Sequence, residues 1–403
     1  MAGGDDHEQR PATRLVTSGR SGGFAGKVVN PPVWRASTHL YEDCADLNAR
    51  KTRNEDGTFF YGRRGAPTQW ALCEALTALE PGAVGTVLYP SGLAALVGAL
   101  MVVLRSGDVL LVADNAYEPT RNAAMGLLKK FGIEHRFFDP LDHEAYQAAF
   151  CDRTRAVMLE VPGSLTMEVC DIPALARIAR DKGAVSLLDN TWATSLGFPA
   201  LERGCDIAIT ALTKHVGGHS DVMMGSASAG ERWYRRLRLG AQQLGHVVSP
   251  DDAALVLRGL RTMGVRLNQQ TDTALALAQW LDSRSEVAHV LSPLLPGTPD
   301  HALWQRDFNG GCGLFSFVLK GGDDAARCRL VDALELFGIG YSWGGFESLA
   351  LPFDVEPVRS AMPWPKEGWG VEDRYAIRLS IGLEDKDDLI ADLANGFAAL
   401  NEG

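Results

Sequence analysis

The stretch "TALTKHVGGHSD", residues 210–221, sets one lysine, Lys214, between an apolar run and a glycine pair. The residues before it, "CDIAITAL" (205–212), are apolar and β-branched and read as a buried strand. A lysine at the edge of a buried sheet loses water around its ammonium. Its pKa then falls and the amine becomes a nucleophile. The alternative is a lysine that buries its stem and keeps its head in solvent. The neighbouring strand ends decide between the two.

Working outward, strands and helices alternate. Strand patterns are "VGTVLYP" (84–90), "DVLLVAD" (108–114), "HRFFDP" (135–140), "TRAVMLEVP" (154–162) and "AVSLLDN" (184–190), with "CDIAIT" closing the run. Between them lie helical patterns over 68–80, 91–104, 119–132 and 172–183. Such alternation predicts an α/β fold, a mostly parallel central sheet covered by helices on both faces. After about residue 258 comes a smaller α+β region, with a long helix over 259–283 and antiparallel strands "GLFSFVLK" (313–320) and "YAIRLSIG" (375–382). The expected organisation is an extended N-terminal arm over 1–65, an α/β domain over 66–258 and an α+β domain over 259–403. Residues 1 to about 25 are polar and rich in Gly and Ser and read as extended or disordered.

Ligands of open α/β sheets bind at the carboxyl ends of the strands. Pro90-Ser91-Gly92-Leu93 follows the first strand and opens a helix, where free N–H groups and the dipole suit a phosphate. Tyr117 follows the second and suits a flat ligand. Asp189 ends a mostly apolar strand, which is costly unless a cation meets it. Lys214 stands one strand further on. Each has a structural alternative: a helix opening that binds nothing, a packed tyrosine, an aspartate paired with a basic side chain. Together they match a phosphorylated pyridine aldehyde, which needs an anion site, a ring cover, a carboxylate for its nitrogen and an amine for its aldehyde. That group is pyridoxal 5′-phosphate (PLP).

Bulk properties agree. Net charge is −11, which disfavours nucleic acid or an anionic membrane surface as partner. No uncharged apolar run reaches the ~18 residues of a membrane span. Seven scattered cysteines without a C-x-x-C suit a reduced compartment, and the polar "MAGGDDHEQRPATR" lacks a signal-peptide core. A cytoplasmic location is expected. His215 and His219 are four apart, but the glycines between them spoil a helix and no third ligand is evident, so no metal is expected. "ERWYRRLRLG" (231–240) reads as a solvated basic helix, and Trp34, Tyr41, Phe59 and Phe60 as interface packing.

The chain resembles the PLP enzymes of Cys/Met metabolism, fold type I, and within them the bacterial cystathionine β-lyases, from about residue 14 to 400. The segments carrying the resemblance include "FFYGRRGAPT" (59–68), "YPSGLAAL" (89–96), "DNAYEP" (114–119), "PGSLTMEV" (162–169), "LLDNTWAT" (187–194), "TKHVGGHSD" (213–221), "YSWGGFESL" (341–349) and "IRLSIGLED" (377–385). The resemblance implies Lys214 as the Schiff-base lysine and catalytic base, and Asp189 as partner of the ring nitrogen. Gly92, Leu93 and Thr213 would bind the phosphate, and Tyr117 would stack on the ring and assist Lys214. Tyr61 and Arg63 would reach the phosphate of a neighbouring subunit, which implies a homotetramer built as a dimer of dimers. Arg378 would clamp the substrate α-carboxylate, with Ser342 and Trp343 lining that end. The implied reaction is α,β-elimination from L-cystathionine, within transsulfuration and methionine biosynthesis. The alternatives are γ-elimination or γ-replacement, a cysteine or cystine desulfhydrase, and, more remotely, a non-catalytic regulatory protein. Two positions depart from the family pattern: Ala211 where a phosphate-binding serine is common, and Gln242 near where related β-lyases can carry a tyrosine.

Overall fold

The computed structural model describes residues 9–400 except 22, 25, 368, 369, 371 and 372. Seven strands form the first sheet: β1 (Gly85–Tyr89), β2 (Val109–Ala113), β3 (Glu134–Phe138), β4 (Thr154–Glu160), β5 (Val185–Asp189), β6 (Ile207–Ala211) and β7 (Gly225–Ala229). Their order is β1-β7-β6-β5-β4-β2-β3. Strands β3, β2, β4, β5 and β6 pair in parallel, and β7 is antiparallel to both β6 and β1. Alternate residues feed two cores. Leu110, Val112, Met158 and Leu187 face one layer of helices, and Val109, Leu111, Val157 and Leu188 face the other.

Strand β7 is absent from the sequence-based expectation. Its sequence, GSASA, lacks the β-branched and aromatic residues that mark a strand. Small residues are required because the helix Gly92–Val103 approaches closely: a Cβ on Gly225 would stand 2.3 Å from the Ser91 carbonyl.

A second sheet, ordered β10-β11-β12-β9-β8, contains β8 (Val287–Leu291), β9 (Leu314–Leu319), β10 (Gly338–Ile339), β11 (Leu349–Phe353) and β12 (Ala376–Ser380). Strands β9 and β12 pair antiparallel, with Arg378 opposite Ser316. The helix Pro250–Asp282 starts nine residues earlier than the 259 expected and runs unbroken across position 258. It carries the chain from one sheet to the other.

The N-terminal segment differs from expectation. It contains the helices Pro11–Thr17 and Cys44–Lys51, and Leu15 of the first is buried. Residues 1–8 lie outside the described residues. Trp34 packs on Phe24 and Phe59 of its own chain, and Phe59 on Phe24 and Trp70, with Phe59 and Trp70 ring centroids 5.1 Å apart. The helix Glu231–Gln243 is not simply solvated. Trp233 and Leu237 are buried, and Arg238 pairs with Asp56 of the arm at 2.6 Å, its side chain only 10% exposed. A sequence run cannot show that one of its arginines meets a carboxylate about 180 positions away.

Candidate active site

The carboxyl ends of the parallel strands open onto a cavity of about 420 Å3. Lys214, Asp189, Tyr117, Gly92, Thr213 and Arg378 all line it. A cavity of about 530 Å3 lies elsewhere, under the N-terminal segment at the start of β1, away from these groups.

Lys214 follows β6 in a turn whose geometry explains the glycine pair after it. Gly218 takes φ +67°, and a Cβ there would meet Arg266 Nη1 at 1.9 Å. On the long helix, a Cβ on Gly259 would meet the Gly217 carbonyl at 2.1 Å. The long helix therefore seats directly on the lysine turn, and Arg266 donates to the His215 carbonyl at 2.8 Å. Lys214 Nζ donates to Ser342 Oγ at 2.6 Å and stands 5.2 Å from the Trp343 ring centroid. Burial, assisted by the Arg378 guanidinium, lowers the lysine pKa to about 8 against the opposing pull of Asp189. The amine is held at the cavity wall by Ser342 rather than left without a protein partner.

Asp189, at the end of β5, is buried, and burial pushes its carboxyl up. The Thr191 N–H and hydroxyl both donate to Oδ1, at 3.1 and 2.5 Å. Tyr117 is 45% exposed, and its backbone N–H donates to Glu160 at 2.6 Å. Glu160 ends β4 in register with Asp189 on β5, and burial followed by the Asp189 charge raises its carboxyl well above the usual range. Sequence reading missed Glu160, although the rule that found Asp189 applies to it: both are carboxylates closing apolar strands.

The end of the cavity at Gly92 is a cradle open to an anion. Ser91 caps the helix Gly92–Val103 by accepting from the Ala94 N–H at 3.1 Å. The first N–H groups of a helix lack intrahelical partners. A Cβ on Gly92 would stand 2.6 Å from the Ala211 Cβ, so helix and strand touch at this point. Thr213 Oγ1 exchanges hydrogen bonds with the Met224 backbone, donating to its carbonyl at 3.2 Å and accepting from its N–H at 3.0 Å. An anion cradle, a buried carboxylate, a ring cover and a lysine of lowered pKa converge on one space, and this donor set fits PLP.

At the other end, Arg378 lies on β12, 9% exposed, and burial lowers its pKa to about 10. Its Nη2 donates to the Ser342 carbonyl at 3.0 Å. Ser342 holds a left-handed φ of +77°, which turns its hydroxyl to Lys214 while its carbonyl meets Arg378. Trp343 lies against the neutral ring of His215, whose pKa burial lowers to about 3. His219 bonds the Gly217 carbonyl, and no cluster of three ligating side chains occurs among the described residues.

Tyr61 and Arg63 do not line the cavity of their own chain. Arg63 Nη1 donates to the Gln242 carbonyl at 2.9 Å, while the Gln242 side chain exchanges two 2.9 Å bonds with Asn54. Gln242 thus ties the helix Glu231–Gln243 to the arm rather than lining this cavity.

Comparison with known proteins agrees with this arrangement. Residues 12–398 match the model of the Cys/Met metabolism PLP-dependent enzymes. The chain is 42% identical to the cystathionine beta-lyase of Escherichia coli, over 96% of this chain and 98% of that one. It is also 42% identical to the cystathionine beta-lyase of Salmonella typhimurium, with the same coverage. The solved cystathionine gamma synthase of Xanthomonas oryzae superposes with a TM-score of 0.87 at 32% identity, covering 97% of this chain and 98% of that one. The chain therefore belongs to the Cys/Met metabolism PLP-dependent enzyme family, with the family's fold type I architecture and its cofactor.

Proposed function

We propose that this protein is a cystathionine β-lyase that splits L-cystathionine into homocysteine, pyruvate and ammonia. One observation carries the reading. Lys214 stands 2.6 Å from Ser342 Oγ with a pKa near 8, in the same cavity as the buried Arg378. A base poised near neutrality thus shares a space with a carboxylate clamp. When bound, PLP supplies the electron sink that makes a Cα proton acidic.

The chain's own residues divide the remaining work. Arg378 pairs with the α-carboxylate through two parallel N–H bonds and so orients the Cα–H bond. Asp189, with Oδ1 held by Thr191, keeps a proton on the heterocyclic nitrogen. Tyr117 covers the ring. Lys214 Nζ takes the Cα proton, and Ser342 Oγ steers the amine between positions. The Cβ–S bond then breaks, sulfur leaves with the electron pair, and the Lys214 ammonium returns a proton to it. Homocysteine departs as a thiol, and water hydrolyses the three-carbon remainder to pyruvate and ammonia.

A second copy completes the site. Tyr61 and Arg63, which lie outside the cavity of their own chain, reach the phosphate of a neighbour in a dimer of dimers. The location is cytoplasmic, and no helix among the described residues is long and apolar enough to cross a membrane. The second reading is γ-chemistry, favoured by the shared fold of the solved γ-synthase.

The test is a product analysis. Purified protein is mixed with L-cystathionine and separately with L-cystine, and pyruvate, 2-oxobutyrate and free thiol are followed. Pyruvate with homocysteine supports the β-lyase. 2-Oxobutyrate with cysteine moves the protein to γ-elimination.

A further inference from the structure

Loop 163–167 has two faces. Gly163, Ser164, Leu165 and Met167 line the cavity that holds Lys214. Thr166 and the adjoining Glu168 face the opposite way, toward the segment between β11 and β12. Leu165 and Met167 hold left-handed backbone, at φ +70° and +59°. Side chains rarely adopt this conformation unless their surroundings enforce it.

The enforcing groups come from the strap 354–366. Arg359 Nη2 donates to the Ser164 carbonyl at 2.8 Å and to Thr166 Oγ1 at 3.0 Å. Thr166 Oγ1 donates in turn to the buried Glu168 carboxylate at 2.6 Å, and Lys366 Nζ lies 3.3 Å from its other oxygen. The strap is itself pinned. Asp114, fully buried just before the turn that carries Tyr117, accepts from the backbone N–H groups of Ser360, Ala361 and Met362 at 2.8, 2.7 and 2.8 Å. Arg121 pairs with the same carboxylate.

The framed wall adjoins the carboxylate clamp. The Leu165 carbonyl accepts from Ser316 Oγ at 2.7 Å, and Ser316 is the register partner of Arg378.

We propose that Arg359 is a positioning residue for substrate, holding loop 163–167 in the shape that frames the cavity beside Arg378. It touches neither the lysine nor the phosphate cradle. Its removal therefore loosens amino-acid binding and leaves cofactor loading intact. The inference rests on the function proposed above for the role of Arg378.

The test compares Arg359→Met and Arg359→Lys with the unmodified holoenzyme. In Arg359→Met the KM for L-cystathionine rises about tenfold, the scale of one lost buried hydrogen bond, while kcat stays within about threefold. The visible cofactor band and cofactor affinity stay unchanged. Arg359→Lys, which keeps a donor, recovers part of the KM. Equilibrium binding of L-alanine, which has no leaving group, is read from the same band and weakens in parallel. An unchanged KM and alanine Kd overturn the proposal. So does a rise that appears only together with loss of the cofactor band and a lower Tm, which marks general destabilisation. If unmodified protein binds cofactor and alanine but does not cleave cystathionine, the β-lyase reading fails. The alanine Kd ratio then still decides the role of Arg359.

Discussion

The floor of the cavity and the N-terminal arm teach different lessons. The floor is built from consecutive strand ends. Asp189 closes β5 and Lys214 follows β6, each placed by the strand before it. The arm is built from distant pairs, with Asp56 on Arg238 and Asn54 on Gln242, about 180 residues apart in each case. On the floor, chemistry follows from local sequence. In the arm it follows from contacts that no local pattern encodes. Burial also acts differently. On the floor it lowers the lysine pKa and raises those of the two carboxyls. In the arm it isolates an ion pair that holds the chain in place.

The sharpest way to break this contrast is to remove the floor's nucleophile. Lys214→Ala should lose at least about 10⁴-fold in turnover together with the visible absorption, because both base and cofactor attachment disappear. Full activity in that variant would end the mechanism.

Arg378→Ala comes next. It should raise the KM for L-cystathionine about a hundredfold, with Arg378→Lys intermediate, since a point charge cannot reproduce a bidentate pair. An unchanged KM would place the carboxylate elsewhere.

Changing the arm should cost stability first. Arg238→Met leaves Asp56 partly buried without its cation, with an expected loss of about 3 kcal/mol. Denaturant unfolding measures this. A loss no larger than that of an exposed pair would make the arm a loosely held segment.

The floor's electrostatics can be sharpened by pH. In cofactor-free protein, Lys214 is neutral above about 8. The rate of cofactor loading should therefore climb with pH up to about 8 and level off above it. The sign for stability follows: between about 8 and the ordinary 10.5 the unfolded lysine keeps a proton that the folded one has lost. Stability of cofactor-free protein should thus rise with pH across that window, relative to Lys214→Met. Parallel pH profiles for the two proteins would show that the lysine is solvated.

The smallest effect belongs to the amide pair. Asn54→Ala removes two neutral hydrogen bonds to Gln242 and the longer 3.3 Å bond that Arg238 Nε donates to Asn54 Oδ1, so unfolding should shift by about 1–2 kcal/mol. If cofactor affinity also falls severalfold, the pair orients Arg63 toward the neighbouring phosphate.

Legibility in the sequence tracks the physics. The parallel strands were readable because β-branched runs ended by glycine-punctuated helices leave a local pattern. Their chemical residues were readable because they stand at strand ends. Glu160 obeyed the same rule and was passed over. Strand β7 was not readable, since its Gly, Ser and Ala residues are chosen for a close helix rather than for strand propensity. The helix Pro11–Thr17 was also missed, in a segment whose composition suggests disorder; burial of Leu15 and the Arg261 bonds to the Leu15 and Ser18 carbonyls hold it.

By itself the sequence determined the α/β alternation, the cofactor class and the placement of Lys214 and Asp189 at neighbouring strand ends, because strand period and strand-end chemistry are short-range. Only the tertiary structure decided that Ser342 meets Lys214, that Gln242 serves the arm, and that Arg359 braces the cavity wall. Those contacts join segments 128, 188 and 195 residues apart, and such pairings exist only once the sheets have stacked and the long helix has seated on the lysine turn.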